Sequence, residues 1–261
     1  MEIEPGSRAL VTGASRGIGR ALSAELARRG CAVGLVARSE EELSEVAASL
    51  PGGGHEALPA DVGDRDEVEA AIERFAEVDV VVANAGVADY GPFRDMDLEL
   101  VERMTRVNWL GTVYTVRAAL SGMLARRRGH LVIVSSGAAL RTFPQAAVYG
   151  ATKAAQRGFA EALWHELAGT GVFVTIVYPG EVRTELHGHE RAALPAWRDI
   201  AEEADPAALA RRVVEAIEHD ERAVYYPSQV RALRAVHGLS PRLADLAIRR
   251  LRGITAAPRA G

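Results

Sequence analysis

Short apolar runs alternate with amphipathic stretches along most of the chain. Residues 8–12 are apolar and lead into a glycine-rich turn, after which Leu22, Leu26 and Ala27 share one side of a helical pattern. Further apolar runs, bounded by glycine, proline or polar residues, predict strands at 32–37, 55–60, 79–83, 130–136, 172–178 and 223–227. The intervening segments predict helices at 40–50, 65–76, 98–127 and 206–219, and one through Tyr149 to about residue 167.

Continuous apolar strands that alternate with helices are typical of a parallel sheet covered on both faces. The sequence therefore predicts an α/β fold, with a doubly wound (Rossmann-like), mostly parallel seven-stranded sheet and helices on both faces. With 261 residues, 48% hydrophobic and 25% charged, the chain is expected to form a single domain over residues 1–227. Residues 228–261 are expected to form a C-terminal helical extension.

The C-terminal extension is basic and amphipathic. From Ala223 to the end of the chain there are seven arginines and one acidic residue, Asp245. Leu233, Val236 and Leu239 recur there at roughly helical intervals. The pattern leaves open whether such a helix packs on its own domain, packs on a second subunit or lies on anionic lipid.

Composition excludes several classes of function. A net charge of -4 argues against nucleic acid as a partner, and a single cysteine, Cys31, excludes an internal disulfide or a cysteine-based metal cluster. His187 and His189 lie in an irregular segment, 181–205, without an accompanying cluster of ligands, so we predict a mobile lid there rather than a metal site. No apolar run reaches the ~18 residues of a membrane span, and the first residues do not resemble a signal peptide. We therefore expect a cytoplasmic protein.

The glycine-rich turn between the first strand and the first helix predicts a nucleotide site. Gly13, Gly17 and Gly19 would let backbone N–H groups approach a pyrophosphate at a helix N-terminus, where the helix dipole favours negative charge. The second strand ends in Ala37 and Arg38, where an NAD site usually carries an acidic residue for the ribose 2′-hydroxyl.

Two arginines determine the expected cofactor. Arg16 lies inside the glycine turn and Arg38 follows the second strand, so their guanidinium groups could converge on a 2′-phosphate. We therefore predict NADP(H). The alternative is that both arginines face solvent.

Polar residues follow several strands of the predicted sheet. Thr12, Arg38, Asp61, Asn84 and Ser136 each stand where an apolar run ends. Ligands of open parallel sheets bind at the carboxyl ends of the strands, so these side chains are expected at one binding site.

A tyrosine and a lysine give this site its candidate chemistry. Of the 31 lysine and arginine residues only Lys153 is a lysine, and it follows Tyr149 by about one helical turn, which places both side chains on one face. A nearby cation lowers the pKa of a phenol from its usual value near ~10, so Tyr149 could act as general acid or base. Ser136 could donate to a substrate oxygen. Asn108, inside the helix predicted at 98–127, is either exposed or bends the helix and orders a water beside Lys153.

The motifs, taken in order, resemble those of the short-chain dehydrogenase/reductase family in its compact single-domain form. They are Thr12-Gly-Ala-Ser-Arg-Gly-Ile-Gly19, Asp61-Val62, Asn84-Ala-Gly-Val87, Asn108, Ser136, Tyr149-x-x-x-Lys153 and Pro179-Gly-Glu-Val-Arg-Thr184. The resemblance implies a catalytic tetrad of Asn108, Ser136, Tyr149 and Lys153. Tyr149 would transfer the proton, Ser136 would polarise the carbonyl, Lys153 would lower the tyrosine pKa and bind the nicotinamide ribose, and Asn108 would hold a relay water.

The resemblance also implies a set of cofactor-binding residues. The glycine turn would hold the pyrophosphate, Asp61 would meet adenine, Asn84 would support the central strand, and Val182 and Thr184 would hold the carboxamide. The full set is Gly13, Ser15, Arg16, Gly17, Ile18, Gly19, Arg38, Asp61, Val62, Asn84, Ala85, Gly86, Tyr149, Lys153, Pro179, Gly180, Val182 and Thr184.

The chain departs from the family's acyl-carrier-protein reductases and many tetrameric members after its last strand. Tyr225-Tyr226-Pro227 and the basic extension replace the glycine-rich strand with which those members end. The chain looks more like members that act on apolar ketones, lipids or steroids, in which an extension borders the substrate entrance or touches membrane.

Two hypotheses about function follow. The first is an NADP(H)-dependent oxidoreductase, homodimeric or homotetrameric, that acts on a carbonyl group or secondary alcohol of an apolar small molecule. The second is a catalytically silent protein that senses the dinucleotide or serves as a scaffold. The intact tetrad favours the enzyme, since a pure sensor does not need Tyr149 and Lys153 together.

Overall fold

One seven-stranded sheet organises the computed structural model, which describes residues 1–183 and 203–232 and, beyond them, Ser240. The strands are β1 (Arg8–Thr12), β2 (Ala32–Ala37), β3 (Glu56–Pro59), β4 (Val80–Ala83), β5 (Gly129–Val134), β6 (Val172–Pro179) and β7 (Ala223–Tyr226). Their order is β3-β2-β1-β4-β5-β6-β7, and all six ladders are parallel. The predicted α/β class and doubly wound sheet are confirmed.

The described helices follow the predicted positions closely. They are α1 (Gly17–Arg28), α2 (Glu40–Ser49), α3 (Arg65–Phe75), α4 (Leu98–Met104), α5 (Gly111–Arg126), α6 (Ala147–Glu166) and α7 (Pro206–Glu218). Within the described ranges, no helix combines the length and apolarity that a membrane crossing requires. Most of the predicted C-terminal helix lies outside the described residues. The same is true of most of the predicted lid, including His187 and His189.

Both faces of the sheet are covered, which explains why the strands are apolar throughout. Ala9 and Leu10 are neighbours in β1, point to opposite faces and are both fully buried. Leu10 belongs to the core that α3, α5 and α6 complete, whereas Ala9 belongs to the core that α1, α2 and α7 complete. A strand buried on both faces has no polar side, so its sequence does not alternate.

The helices begin where short polar side chains cap them. Ser39 accepts a hydrogen bond from the backbone N–H of Glu42 at the start of α2, and Asp64 accepts two at the start of α3. Such caps satisfy N–H groups that the first helical turn leaves without a partner. They fix where each helix leaves the carboxyl edge of the sheet.

The order of the strands reverses beside β1. From β1 the chain passes to β2 and β3 on one side and then returns to β4 on the other side. A reversal of this kind opens a crevice at the carboxyl ends of the two strands, which is where open α/β sheets bind ligands.

The predicted helix at 98–127 is continuous but contains a turn of π-helix. This turn, Thr105–Leu110, lies between α4 and α5 and contains Asn108. Asn108 is fully buried. The alternative in which Asn108 is exposed is therefore wrong, and the local distortion of the helix is confirmed. Turns of π-helix inside α-helices are rare and often occur at functional sites.

Gly19 packs directly on the glycine-rich turn. A Cβ at this position would lie 2.1 Å from the carbonyl oxygen of Gly13 and 2.7 Å from Nδ2 of Asn84. Asn84 Nδ2 donates to the carbonyl oxygen of Thr12 at 2.9 Å. The turn, the first residues of α1 and the end of β4 are therefore too close together to admit a side chain at position 19.

We expect Gly19→Ala to lower the free energy of unfolding by about 1–3 kcal/mol, because the new methyl group overlaps a backbone carbonyl. Urea unfolding measures the change. Gly158→Ala is the control, since Gly158 is an exposed glycine of α6 with no atom within 4 Å of an added Cβ. That control should be stabilised by about 0.5–1 kcal/mol. Equal stabilities of the two variants would contradict the close packing at Gly19.

Candidate active site

A cavity of about 700 Å³ opens at the carboxyl edge of the sheet, where the strand order reverses. Most of the predicted site residues line it. They are Gly13, Ser15, Arg16, Gly17, Ile18, Arg38, Asp61, Val62, Asn84, Ala85, Gly86, Ser136, Tyr149, Lys153, Pro179, Gly180 and Val182. The fold thus brings together, in one cavity, residues that are far apart in the sequence.

Four residues that the sequence placed at this site are not part of its lining. Thr12 is buried, and its Oγ1 accepts from the N–H groups of Asn84 and Ala85. Gly19 and Asn108 are buried directly behind it, Gly19 against Gly13 and Asn108 next to Gly86. Thr184 lies outside the described residues. Gly19 and Asn108 therefore support residues of the cavity wall.

Tyr149 and Lys153 stand on the cavity side of α6. The side chain of Lys153 is only 4% exposed, and its Nζ lies 5.9 Å from the centroid of the Tyr149 ring. Nζ donates to the carbonyl oxygen of Val134 at 3.0 Å, at the end of β5. Burial lowers the pKa of Lys153 to about 8. At neutral pH the group is therefore still mostly an ammonium, but it releases its proton more readily than a surface lysine does.

The two neighbouring serines after β5 lie in different environments and make different hydrogen bonds. Ser135 is buried, and its Oγ donates to the carbonyl oxygen of Lys153 at 2.9 Å, which ties α6 to β5. Ser136 lines the cavity, and its Oγ accepts from the N–H of Ala138 at 3.1 Å. Since that oxygen acts as the acceptor in the bond to Ala138, the hydroxyl proton of Ser136 can be donated into the cavity.

Asn108 is held by the backbone of the strand-end segment beside it. Its Oδ1 accepts from the N–H of Val87 at 2.8 Å, and its Nδ2 donates to the carbonyl oxygen of Val87 at 2.9 Å and to Oγ1 of Thr152 at 3.1 Å. A Cβ built on Gly86 would lie 3.4 Å from Oδ1 of Asn108 and 3.5 Å from Nζ of Lys153. Asn108 and Lys153 thus flank the same small space, which agrees with one of the two alternatives that the sequence left open for Asn108.

The glycine-rich end of the cavity fits a dinucleotide. Gly13 and Gly17 have positive φ angles of 65° and 54°, a conformation that side chains disfavour. A Cβ on Gly13 would lie 2.9 Å from Cα of Ala85, so this wall is made of bare backbone. The turn leads into α1, which begins at Gly17 and points its N-terminus at the cavity. These are the features by which backbone N–H groups bind a pyrophosphate.

Two arginines line this end of the cavity without a carboxylate partner. Within residues 1–183 and 203–232, the ion pairs of the protein involve neither Arg16 nor Arg38. Ala37 and Ser39 line the cavity on either side of Arg38, and Ser39 adds a hydroxyl at the N-terminus of α2. This set of groups is suited to an anion such as a phosphate.

The other end of the cavity is largely apolar and aromatic. The ring of Tyr90 meets the ring of Tyr149 edge to face, with centroids 5.8 Å apart, and lies 6.0 Å from the ring of Phe143. Val230, from the helical turn just after β7, also reaches this end and packs on Gly137 and Gly180. The first residues of the predicted extension thus form part of the cavity wall.

Several lining residues were not predicted from the sequence. Tyr90, Arg103, Arg106, Arg141 and Phe143 all line the cavity. They stand on loops and on α4 with its π-helical turn, where a polar or aromatic residue has no distinctive spacing. The spacing of Arg103 and Arg106, which places both on one face of a helix, was the one signal available for this pair.

Comparisons with known proteins agree with this geometry. A family model described as short chain dehydrogenase matches residues 7–195. An uncharacterized oxidoreductase of Listeria monocytogenes is 37% identical over 185 residues, which are 68% of this chain and 75% of that protein. A short-chain dehydrogenase/reductase of Burkholderia phymatum, solved in complex with NAD, has a TM-score of 0.84 at 25% identity and covers 93% of this chain and 96% of its own. A short-chain dehydrogenase of Burkholderia cenocepacia, in complex with NADP, has a TM-score of 0.82 at 27% identity over 98% of this chain and 100% of its own.

Because Lys153 is the only lysine, protein grown with ¹³Cε-labelled lysine should give a single side-chain signal. We expect the titration midpoint of this signal in the ligand-free protein near the lowered pKa of about 8, and not at the ordinary 10.5. A midpoint near 10.5 would show that Nζ faces water.

The lowered pKa of Lys153 also predicts how the stability of the protein depends on pH. Between pH 8 and 10.5 the unfolded chain holds the lysine proton and the folded chain has lost it, so stability rises with pH across that window. Lys153→Met removes this dependence. The stability of the variant relative to the parent should therefore fall by about 3 kcal/mol from pH 7 to pH 10.5, at about 1.36 kcal/mol per pKa unit. Arg157→Met, which replaces a half-buried arginine of the same helix, should leave the slope unchanged; a pH-independent difference for Lys153→Met would contradict the burial of its charge.

Proposed function

This chain belongs to the short-chain dehydrogenase family, and we propose that it is an NADP(H)-dependent oxidoreductase acting on a carbonyl group or secondary alcohol of an apolar small molecule. One observation carries the proposal. Tyr149, Lys153 and Ser136 meet at the apolar end of a cavity whose other end carries the glycine turn with Arg16 and Arg38. A proton-transfer group and a dinucleotide site therefore share one cavity.

The residues of the chain have distinct roles in this reaction. A nicotinamide dinucleotide bound in the cavity would supply the hydride in the reducing direction and accept it in the reverse direction. The hydroxyl of Ser136 would donate to the substrate oxygen and hold it in place. Tyr149 would deliver a proton to that oxygen during reduction, or remove it during oxidation.

Lys153 and Asn108 would support the proton transfer. The ammonium of Lys153, at the distance found here, favours the phenolate form of Tyr149 after the proton has left. The pKa of about 8 allows Lys153 to lose and regain a proton near neutral pH. Asn108 lies beside Nζ, where its Oδ1 could hold a water that connects Lys153 to solvent.

The apolar end of the cavity supports an apolar substrate. Tyr90, Phe143 and Val230 line it, next to Ser136 and Tyr149. Val230 belongs to residues 228–261, which we propose as an extension of the catalytic domain, 1–227. The contact of Val230 with Gly137 and Gly180 supports a place for the extension at the substrate entrance, as in the family members that the sequence resembles. Contact of the remaining extension with lipid stays a prediction.

Assembly and location are part of the same proposal. We propose a homodimer or homotetramer, supported by the partly exposed apolar side chains along the π-helical turn, α5 and α6, among them Trp109, Leu124 and Phe159. We propose a cytoplasmic location, with which the buried free thiol of Cys31 agrees.

Replacing Tyr149 tests the reaction class. We expect Tyr149→Phe to lower kcat by roughly 10²–10⁴-fold, the usual contribution of a positioned acid or base, and to leave the Kd of NADPH almost unchanged. A panel of apolar ketones and secondary alcohols, followed at the nicotinamide absorbance, provides the measurement. Tyr114→Phe, on α5 away from the cavity, is the control. Undiminished turnover in Tyr149→Phe would rule out this mechanism, and a parent protein that binds NADPH but turns over no compound would favour the silent sensor.

The cofactor preference tests the two arginines. Charge-assisted hydrogen bonds contribute roughly 1.5–3 kcal/mol each, and about 1.4 kcal/mol is a factor of ten. NADPH should therefore bind about tenfold or more tightly than NADH, and the preference should fall as salt screens the charges. Ala37→Asp combined with Arg38→Ala should reverse the preference, whereas Arg20→Ala, an exposed arginine of α1, should leave it unchanged. Equal affinities for the two cofactors in the parent protein would mean that Arg16 and Arg38 face solvent.

A further inference from the structure

Gln156 is a fully buried amide close to the catalytic groups but outside the cavity. It lies on α6 one turn after Lys153, on the side that packs against the π-helical turn. Neither the proposed reaction nor the cofactor site uses it. A position buried between two helices is ordinarily occupied by an aliphatic residue.

The amide group of Gln156 binds the backbone of Asn108. Its Nε2 donates to the carbonyl oxygen of Asn108 at 2.8 Å and to Oγ1 of Thr112 at 2.7 Å. Oγ1 of Thr112 donates to the same carbonyl oxygen at 2.8 Å. A carbonyl oxygen cannot donate, so the orientation of the Gln156 amide is fixed by its partner.

The two donors use the acceptor capacity of the Asn108 carbonyl. A carbonyl oxygen has two lone pairs, and here side chains of Thr112 and Gln156 point at them. The side-chain Oδ1 of Asn108, which accepts from the N–H of Val87, borders the same space beside Gly86 as Nζ of Lys153.

A purely structural role does not explain why a glutamine occupies this position. Within the described part of the chain, its Oε1 is buried and receives no hydrogen bond. A buried amide oxygen without a donor lowers stability relative to a well-packed apolar side chain. Local conflicts of this kind are expected at functional sites, where position matters more than stability.

We propose that Gln156 is a positioning residue, which fixes the Asn108 backbone relative to α6 and thereby keeps Asn108 beside Lys153. The bond joins the two elements that carry the catalytic groups, since Asn108 stands on the π-helical turn and Tyr149 and Lys153 stand on α6. This inference rests on the proposed function for its effect on turnover. Its effect on Lys153 can be measured without substrate.

The first experiment replaces the amide by an apolar side chain of similar volume. In Gln156→Met the bond to Asn108 is lost, and kcat should fall by about 10²-fold, the effect of a misplacement of about 1 Å at a catalytic centre, while the Kd of NADPH stays constant. Thr175→Val is the control, since Thr175 is an equally buried hydrogen-bonding residue in β6, remote from the cavity. It should lose stability without loss of kcat. Unchanged kcat in Gln156→Met would overturn the proposal.

The second experiment restores the donor in a pH-dependent way. A glutamic acid at position 156 matches the glutamine in shape and can donate to the Asn108 carbonyl only when it is protonated. Burial raises the pKa of such a carboxyl, so kcat of Gln156→Glu relative to the parent should rise about tenfold as pH falls from 9 to 6. A ratio that stays flat, or that rises with pH, would mean that donation to Asn108 is not what matters.

The third measurement separates this inference from the proposed function. In ligand-free Gln156→Met, the single ¹³Cε-lysine signal should titrate at a different pH than in the parent, because a displaced Asn108 changes the polar surroundings of Nζ. If the parent turns over no substrate, the proposed function fails, and this shift still decides the role of Gln156. An unshifted lysine titration in a folded variant would then refute it.

Discussion

The burial of one ammonium group is the constraint on which the part of the fold around Tyr149 and Lys153 depends. A charge removed from water needs close polar partners, and Nζ of Lys153 finds one in the carbonyl oxygen of Val134 at the end of β5. Ser135 binds the backbone of Lys153 itself, so β5 and α6 are joined twice at the same level. Asn108 lies on a third element, the π-helical turn between α4 and α5. The position of the lysine thus determines how three elements meet.

The cofactor half is held by a second polar link, across the reversal of strand order. Oγ1 of Thr12 accepts from the N–H groups of Asn84 at 3.0 Å and Ala85 at 3.1 Å, and donates to the carbonyl oxygen of Val82 at 3.3 Å. These bonds join β1 to β4 where the sheet would otherwise open. The glycine turn follows directly after Thr12, so its distance from the catalytic end is set by the rigid parallel ladders between β1 and β5. A ligand that spans both ends meets two sites at a fixed separation.

The sequence predicted the parts of this arrangement that are local. The glycine turn, the spacing of Tyr149 and Lys153 and the polar residues after the strands all depend on a few consecutive residues, and the structure brings them to one cavity. The sequence could not predict which of Ser135 and Ser136 lines the cavity. Neighbouring residues of an extended segment point in opposite directions, and the packing of α6 decides which of the two is buried. Gln156 was missed for a similar reason. A single polar residue in an amphipathic helix resembles an exposed one, and its burial follows from a contact with the π-helical turn.

The presence of a single lysine limits how the side chains of this protein can be modified at amines. Amine-directed modification, whether acetylation by an enzyme or labelling by a reagent, has one lysine side chain available, and it lies 4% exposed in the wall of the cavity. Modification of that side chain would remove the positive charge beside Tyr149. In the proposed mechanism, an acyl group on the lysine of this protein would therefore abolish turnover, and a ligand bound in the cavity would protect Lys153 from acylation.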